Sequence, residues 1–217
     1  MIILKQFLNS IRISNNKIPL KNKIINSLLI LILGVFLGVL SKWLDNIVID
    51  NTIWWHNIIS YLNLGTIFSD ISIWLFIAIT IAVYSKTPLR ASINIFIFFL
   101  GMTTSYHLYT IIFSKFNPSN YMLIWYGITL LSPLFAYICW YTKSNHKITI
   151  IIDAIIFYIM LSCCFSIGIW YFDLKGILYL LTFIGTIIVL YNNPKNIIIT
   201  LIIGLILSLV IRIPLIG

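Results

Sequence analysis

Residues 24–44 read IINSLLILILGVFLGVLSKWL, and no charge falls in that run before Lys42. At about 1.5 Å per residue such a helix reaches roughly 30 Å, the thickness of the hydrocarbon core of a bilayer. The run lacks the polar face that a surface helix of a soluble protein needs. Six more apolar runs follow it: Thr66–Tyr84, Ala91–Phe113, Tyr121–Tyr141, Ile148–Trp170, Leu174–Tyr191 and Asn196–Pro214. The turns between them carry breakers such as Lys86-Thr87-Pro88, Asn117-Pro118-Ser119-Asn120, Lys175-Gly176 and Asn192-Asn193-Pro194. The last two runs have short apolar centres, so six spans with a re-entrant or interfacial segment stands as the alternative.

Composition agrees with this reading. The 217 residues are 61% hydrophobic and 9% charged, with a mean hydropathy of +1.06, whereas a soluble domain carries about 25% charged residues. The expected fold is an all-α integral membrane protein of about seven (six to seven) transmembrane helices, with an interfacial amphipathic segment between the first two. Residues 1–23 form a basic amphipathic segment on the cytoplasmic side, and residues 24–217 a single transmembrane domain.

Orientation follows from the basic residues. With the amino terminus inside, ten of them (Lys5, Arg12, Lys17, Lys21, Lys23, Lys86, Arg90, Lys143, Lys147, Lys195) lie on the cytoplasmic side, against Lys42, Lys115, Lys175 and Arg212 outside. The expected location is a bacterial cytoplasmic membrane, with the carboxyl terminus extracytoplasmic. The formal charge of +9 is then a topology signal and calls for no nucleic acid. Ile3, Phe7, Leu8 and Ile11 recur at helical spacing among the first basic residues. Two readings stand there, a helix lying on the inner leaflet and a plain basic tail. No small-residue cleavage site precedes Asp45, so the first span is expected to stay as an anchor.

The chemistry-bearing residues are few. All five acids are aspartates (Asp45, Asp50, Asp70, Asp153, Asp173), and no glutamate occurs. That removes the zinc-protease H-E-x-x-H helix. Cys139, Cys163 and Cys164 fall inside spans and form no C-x-x-C, and His56, His107 and His146 are widely spaced, so neither a metal nor a redox pair is expected. No nucleotide loop or nucleophile elbow is present. The chain reads as a non-enzyme without cofactor.

Aromatic and acidic residues instead gather toward the outer half. Asp70 and Trp74 open the second span one turn apart. Thr103, Tyr106, His107 and Thr110 share a face of the third; Trp125, Thr129 and Ser132 share one of the fourth; Tyr158, Ser162, Ser166 and Trp170 share one of the fifth. Polar residues avoid lipid, so these stripes are expected to face the bundle interior. Two readings compete: an aromatic belt at the interface, and an outward-opening cavity for a small organic solute, cationic or ring-bearing. The second assigns ligand binding to Asp70, Trp74, Tyr106, His107, Trp125, Thr129, Ser162 and Trp170. The connection between the first two spans is apolar at helical intervals. It makes a lid carrying Trp54, Trp55 and His56, or a helix resting on the outer leaflet. Asp153, one turn into the fifth span, is read as structural, snorkelling or pairing with Lys147 or Arg90. Gly34 and Gly38 form a G-x-x-x-G helix contact, which fits internal packing and a partner subunit equally.

With its length, its basic inner terminus, Gly34-x-x-x-Gly38 in the first span and a gating first outer loop, the chain resembles the substrate-binding subunits of energy-coupling-factor transporters. The resemblance implies a solute site lined by Trp54, Trp74, His107, Trp125 and Trp170. It also implies docking through Gly34 and Gly38 on a membrane coupling subunit driven by separate ATPases. A seventh span and a first helix poor in alanine depart from that pattern. A non-transporting accessory, immunity or regulatory protein that meets a protein partner is the second functional class consistent with the sequence.

Overall fold

In the computed structural model the described residues are 8, 10–14, 19–144, 146–168 and 170–211. Of the basic segment expected over residues 1–23, residues 1–7, 9 and 15–18 lie outside that set, as do Arg212 and Pro214. The described chain is almost wholly helical. The helices are α1 (Leu20–Asn46), α2 (Trp54–Leu62), α3 (Leu64–Ser69), α4 (Ile71–Tyr84), α5 (Pro88–Phe113), α6 (Ser119–Cys139), α7 (Lys147–Cys164), α8 (Ile177–Leu190) and α9 (Pro194–Val210). A 3-10 turn, Trp140–Thr142, follows α6, and a two-stranded hairpin, β1 (Phe165–Ile167) and β2 (Phe172–Leu174), joins α7 to α8.

Four helices are long and apolar enough to cross a bilayer: Leu20–Asn46, Pro88–Phe113, Ser119–Thr142 and Lys147–Cys164. The other three expected spans are realised as shorter apolar helices, Ile71–Tyr84, Ile177–Leu190 and Pro194–Val210. At about 1.5 Å per residue these reach only ~21 to ~25 Å, short of the ~30 Å hydrocarbon thickness. The second span breaks because Asp70 adopts an extended backbone and accepts the Ile71 N–H at 2.6 Å, ending α3 and capping α4. The fifth ends at Cys164 rather than Trp170, where the chain turns into the antiparallel hairpin that pairs Phe165 with Leu174 and Ile167 with Phe172. Sequence hydropathy counts Phe165–Trp170 as span, yet β-branched and aromatic residues serve a strand equally well.

The long helices pack through small residues and stapled carbonyls. α1 lies along α5, where a Cβ on Gly34 would stand 2.4 Å from the Phe98 carbonyl oxygen and one on Gly38 would stand 2.3 Å from that of Met102. Only glycine lets the two backbones approach so closely. At one end Arg90 ties these helices together, donating to the Lys23 carbonyl at 2.9 Å and to Ser27 Oγ at 2.7 Å. Pro133 inside α6 supplies no N–H to the Thr129 carbonyl, and the Ser132 hydroxyl donates there instead at 2.8 Å. The shorter α4 lies at the centre, burying Trp74, Ala78, Ala82 and Val83 against α5, α6 and α8. Non-helical backbone such as the α3–α4 break is tolerated at membrane depth only inside protein or beside a polar cavity.

Candidate functional site

The break at Asp70 places two hollows side by side at the end of the bundle that carries α2 and the hairpin. The deeper one is a chamber of about 10 Å³, room for roughly one water. Its walls are Trp74, Tyr106, Tyr121 and Trp125, closed by Phe68, Met102 and Met122 and edged by Ser41, Ser69 and Thr103. The stripes of α5 and α6 thus meet α4 as helical spacing requires. The outer one is a recess of about 430 Å³ between the end of α1, the following loop, α2 and α3. Asp45, Ser60, Asn63, Thr66 and Ser69 give it polar groups, and Leu44, Ile47, Ile49 and Ile59 apolar ones.

Ser69 lines both hollows. Its hydroxyl is buried and has no hydrogen-bond partner, a condition that a bound polar group or a water would relieve. The Ser72 hydroxyl in α4 is likewise buried without a partner, whereas Ser41 and Trp74 are satisfied. Ser41 donates to the Phe68 carbonyl at 2.8 Å, and the Trp74 indole N–H donates to the same oxygen at 3.0 Å. Thr103 and Thr129 hydroxyls meet at 3.2 Å beside the chamber. At the mouth Lys42 pairs with Asp45, and its ammonium lies 5.5 Å from the centre of the Tyr106 ring. The recess therefore presents a matched pair of charges rather than a bare carboxylate.

The other residues singled out from the sequence are placed differently. Asp70 is half-buried and its carboxylate is occupied in capping α4. His107 turns toward α6, with Nδ1 3.0 Å from the Tyr126 hydroxyl and Nε2 3.0 Å from Asn117 Oδ1. It joins α5 to α6 and the loop between them. Ser162 donates to the Tyr158 carbonyl within its own helix, and Trp170 is 94% exposed beside the hairpin. None of these four lines either hollow.

Of the expected lid, Trp54 is 73% exposed. Trp55 stacks on Trp43 of α1 at 6.2 Å, and His56 is buried with Nδ1 accepting the Asp50 N–H at 2.9 Å. Those contacts moor α2, whose Ile59 and Ser60 then form a wall of the recess. Asp50, at the start of this moored segment, is held below the usual aspartate range by the hydroxyl and the N–H of Thr52. Gly34 and Gly38 are both covered by α5. A partner subunit would meet the opposite, apolar face of α1.

The sequence reading missed Ser41, Lys42, Asp45, Ser69 and Tyr121. Lys42 and Asp45 did carry a signal, an i, i+3 pair at the end of a span. Ser69 carried none, because its role depends on a helix break. Among the described residues no group of His, Cys and Asp side chains is placed to hold a metal ion.

No family model, curated protein or solved structure matches this chain. Its own geometry offers a polar recess, a buried hydroxyl without a partner, and a narrow aromatic chamber beside it.

Proposed function

We propose that the chain is a small-solute-binding membrane subunit that receives its solute at the end carrying α2. The observation that supports this most is the Ser69 hydroxyl, unpartnered and shared between the open recess and the aromatic chamber. The recess admits a small organic molecule in its present form. The chamber, at about 10 Å³, admits none until Tyr106 or Trp125 rotates. The solute enters in two stages on this reading: a polar group is taken up at Asn63, Thr66 and Ser69, and the aromatic side chains then part to accept a ring or apolar tail. The matched charges of Lys42 and Asp45 favour a zwitterionic or neutral ring-bearing solute over a bare cation.

In this proposal the amino terminus is cytoplasmic and the recess opens outward, following the bias of basic residues. The energy for any transport comes from a partner subunit or an ion gradient. A non-transporting accessory role, acting through a protein partner, is the second reading, and the tightly filled chamber is what favours it.

The test is mass spectrometry of small molecules released from the purified protein. Thermal shift against amino acids, nucleobases and amines accompanies it, with Ser69→Val and Trp125→Ala as variants. Binding that either variant abolishes supports the solute reading. A protein that releases nothing and shifts with none of these probes, yet crosslinks in cells to one membrane protein, overturns it in favour of the second.

A further inference from the structure

The opposite end of the bundle holds a group that the solute reading does not use. Asp153 lies in α7 and is 3% exposed, and its Oδ1 is buried without a hydrogen-bond partner. It neither snorkels nor pairs with Lys147 or Arg90, as the sequence reading expected. Arg90 is engaged instead by Lys23, Ser27 and Asn94.

Lys143 is the cation whose charge reaches Asp153, and both it and Arg12, which lies in its own electrostatic reach, are committed to helix-end carbonyls. Lys143 donates to the carbonyls of Val189 at 3.0 Å and Tyr191 at 2.9 Å, closing the end of α8. Arg12 donates to the Val83 carbonyl at 3.1 Å and to that of Trp140, bridging the ends of α4 and α6, and its guanidinium lies 4.1 Å from the centre of the Trp140 ring. Among the described residues the ion pair is Lys42–Asp45, and neither Lys143 nor Arg12 pairs with Asp153. Burial, followed by the charge of Arg12, pushes the Lys143 ammonium below the usual lysine range, and the charge of Asp153 opposes this.

The elements around Asp153 bring Tyr141 from the 3-10 turn, and His146 and Lys147 at the start of α7 itself. α6 contributes Cys139, which lies between Asp153 and Arg12 in their electrostatic reach. α4 contributes Tyr84, beneath Lys143 at 5.9 Å. β1 contributes nothing, α8 only Tyr179 near Asp70 at the far end, and α9 only Lys195 in its first turn. An ionised carboxylate placed this way loses its hydration and gains no direct ion pair in return. The same side chain with a proton on it avoids that loss.

We propose that Asp153 is a proton-binding site, loaded in this closed form and discharged when Lys143 leaves the Val189 and Tyr191 carbonyls to pair with it. In the discharge step the carboxyl O–H bond breaks, the proton passes to water at the Arg12 end, and the carboxylate remains as the partner of the ammonium. Arg12 holds that end shut by joining the last carbonyls of α4 and α6, so its release precedes the step. This site is independent of the solute recess, and either stands if the other fails.

The chain's composition makes the test clean. With no glutamate and five aspartates, few side chains contribute to the infrared carboxyl band of the full-length protein in vesicles of ether-linked lipid, which bring no ester carbonyl of their own. Asp45 is ion-paired, Asp50 and Asp173 are exposed, and Asp70 caps a helix. The wild type at neutral pH is expected to show a protonated-carboxyl band that Asp153→Asn, an isosteric change, lacks. Lys143→Met removes the discharging ammonium and should keep the band to a pH about one unit higher, a roughly tenfold gain in proton affinity. Arg12→Lys, which keeps the charge but loses the fork spanning two carbonyls, should shift it the other way. Identical spectra for wild type and Asp153→Asn at neutral pH overturn the site, and Lys143→Met titrating with the wild type overturns the discharge step.

Discussion

Alanine at Gly34 or Gly38 forces apart α1 and α5, which both line the aromatic chamber. An added Cβ would meet the Phe98 carbonyl oxygen at 2.4 Å from Gly34, and the Met102 carbonyl oxygen at 2.3 Å from Gly38, where ordinary contact begins at 3.4 Å. Both of these atoms are backbone of α5, which no rotamer change removes, and at Gly38 the Ser105 hydroxyl also stands in the way at 2.2 Å. α1 must therefore retreat by about 1 Å, the shortfall in each contact. That retreat loosens the Ser105 hydroxyl from the Val35 carbonyl, now 3.1 Å away. Overpacking of this kind costs ~1–3 kcal/mol, and the better helix propensity of alanine returns up to about 1. A net loss of roughly 1–2 kcal/mol is expected for each single change. Once one alanine has moved α1 outward the second meets less resistance, so the double variant should lose less than the sum. Gly127, in the middle of α6, is the control, because nothing lies within 4 Å of a Cβ added there. Gly127→Ala should be neutral or gain up to ~1 kcal/mol. The assay is reversible unfolding in mixed micelles followed by circular dichroism. If Gly34→Ala and Gly38→Ala match or exceed the wild type while Gly127→Ala behaves as stated, the close approach of α1 to α5 is refuted.

Other expectations can be checked in the same micelles. Trp74→Phe alone should cost little hydrogen-bond energy, because Ser41 still donates to the Phe68 carbonyl. Adding Ser41→Ala leaves that oxygen bare, and the pair should cost about 1–3 kcal/mol more than the two single changes together; simple additivity in a double-mutant cycle would contradict this. Asp70→Ala should destabilise by about 1 kcal/mol through the lost cap of α4, with Asp70→Asn or Asp70→Ser restoring most of it; failure of both rescues would assign the carboxylate another task. Because Asp50 is held below its ordinary range by Thr52, its contribution is complete above that range and vanishes as pH falls through the lowered value. The protection factor of the Thr52 amide, its exchange corrected for the intrinsic pH dependence, should accordingly fall only in acid, and a fall near neutrality would exclude this cause.

The long apolar helices were legible because apolar length and charge depletion dictate them, and residues 24–44 alone show the first. Helix boundaries at Lys86–Pro88 and Asn193-Pro194 were legible as well, since proline at the first helical position and a Thr or Asn before it state where a helix begins. The convergence of Trp74, Tyr106 and Trp125 followed from helical spacing. The break at Asp70 was hidden because hydropathy sums over it, although an aspartate before an apolar run is also the signature of a cap. Trp170 was misplaced for a related reason: the hairpin at Phe165 carries its part of the stripe out of the bundle. His107 and Asp70 drew attention as polar groups on helices, yet each is engaged by near neighbours, Tyr126 and Asn117 for one and the Ile71 amide for the other. Unengaged groups such as Ser69 and Asp153 become visible only when every neighbour has been placed.

The grip of Arg12 has a consequence for how the molecule is made. Its acceptors, on Val83 and Trp140, follow it by 71 and 128 residues. During synthesis this arginine emerges before either acceptor and stays unengaged until most of the polypeptide has been made. Sealing of that end is thus a late event of biogenesis, and a ribosome stalled before Trp140 leaves behind a bundle whose Arg12 still lacks its second acceptor.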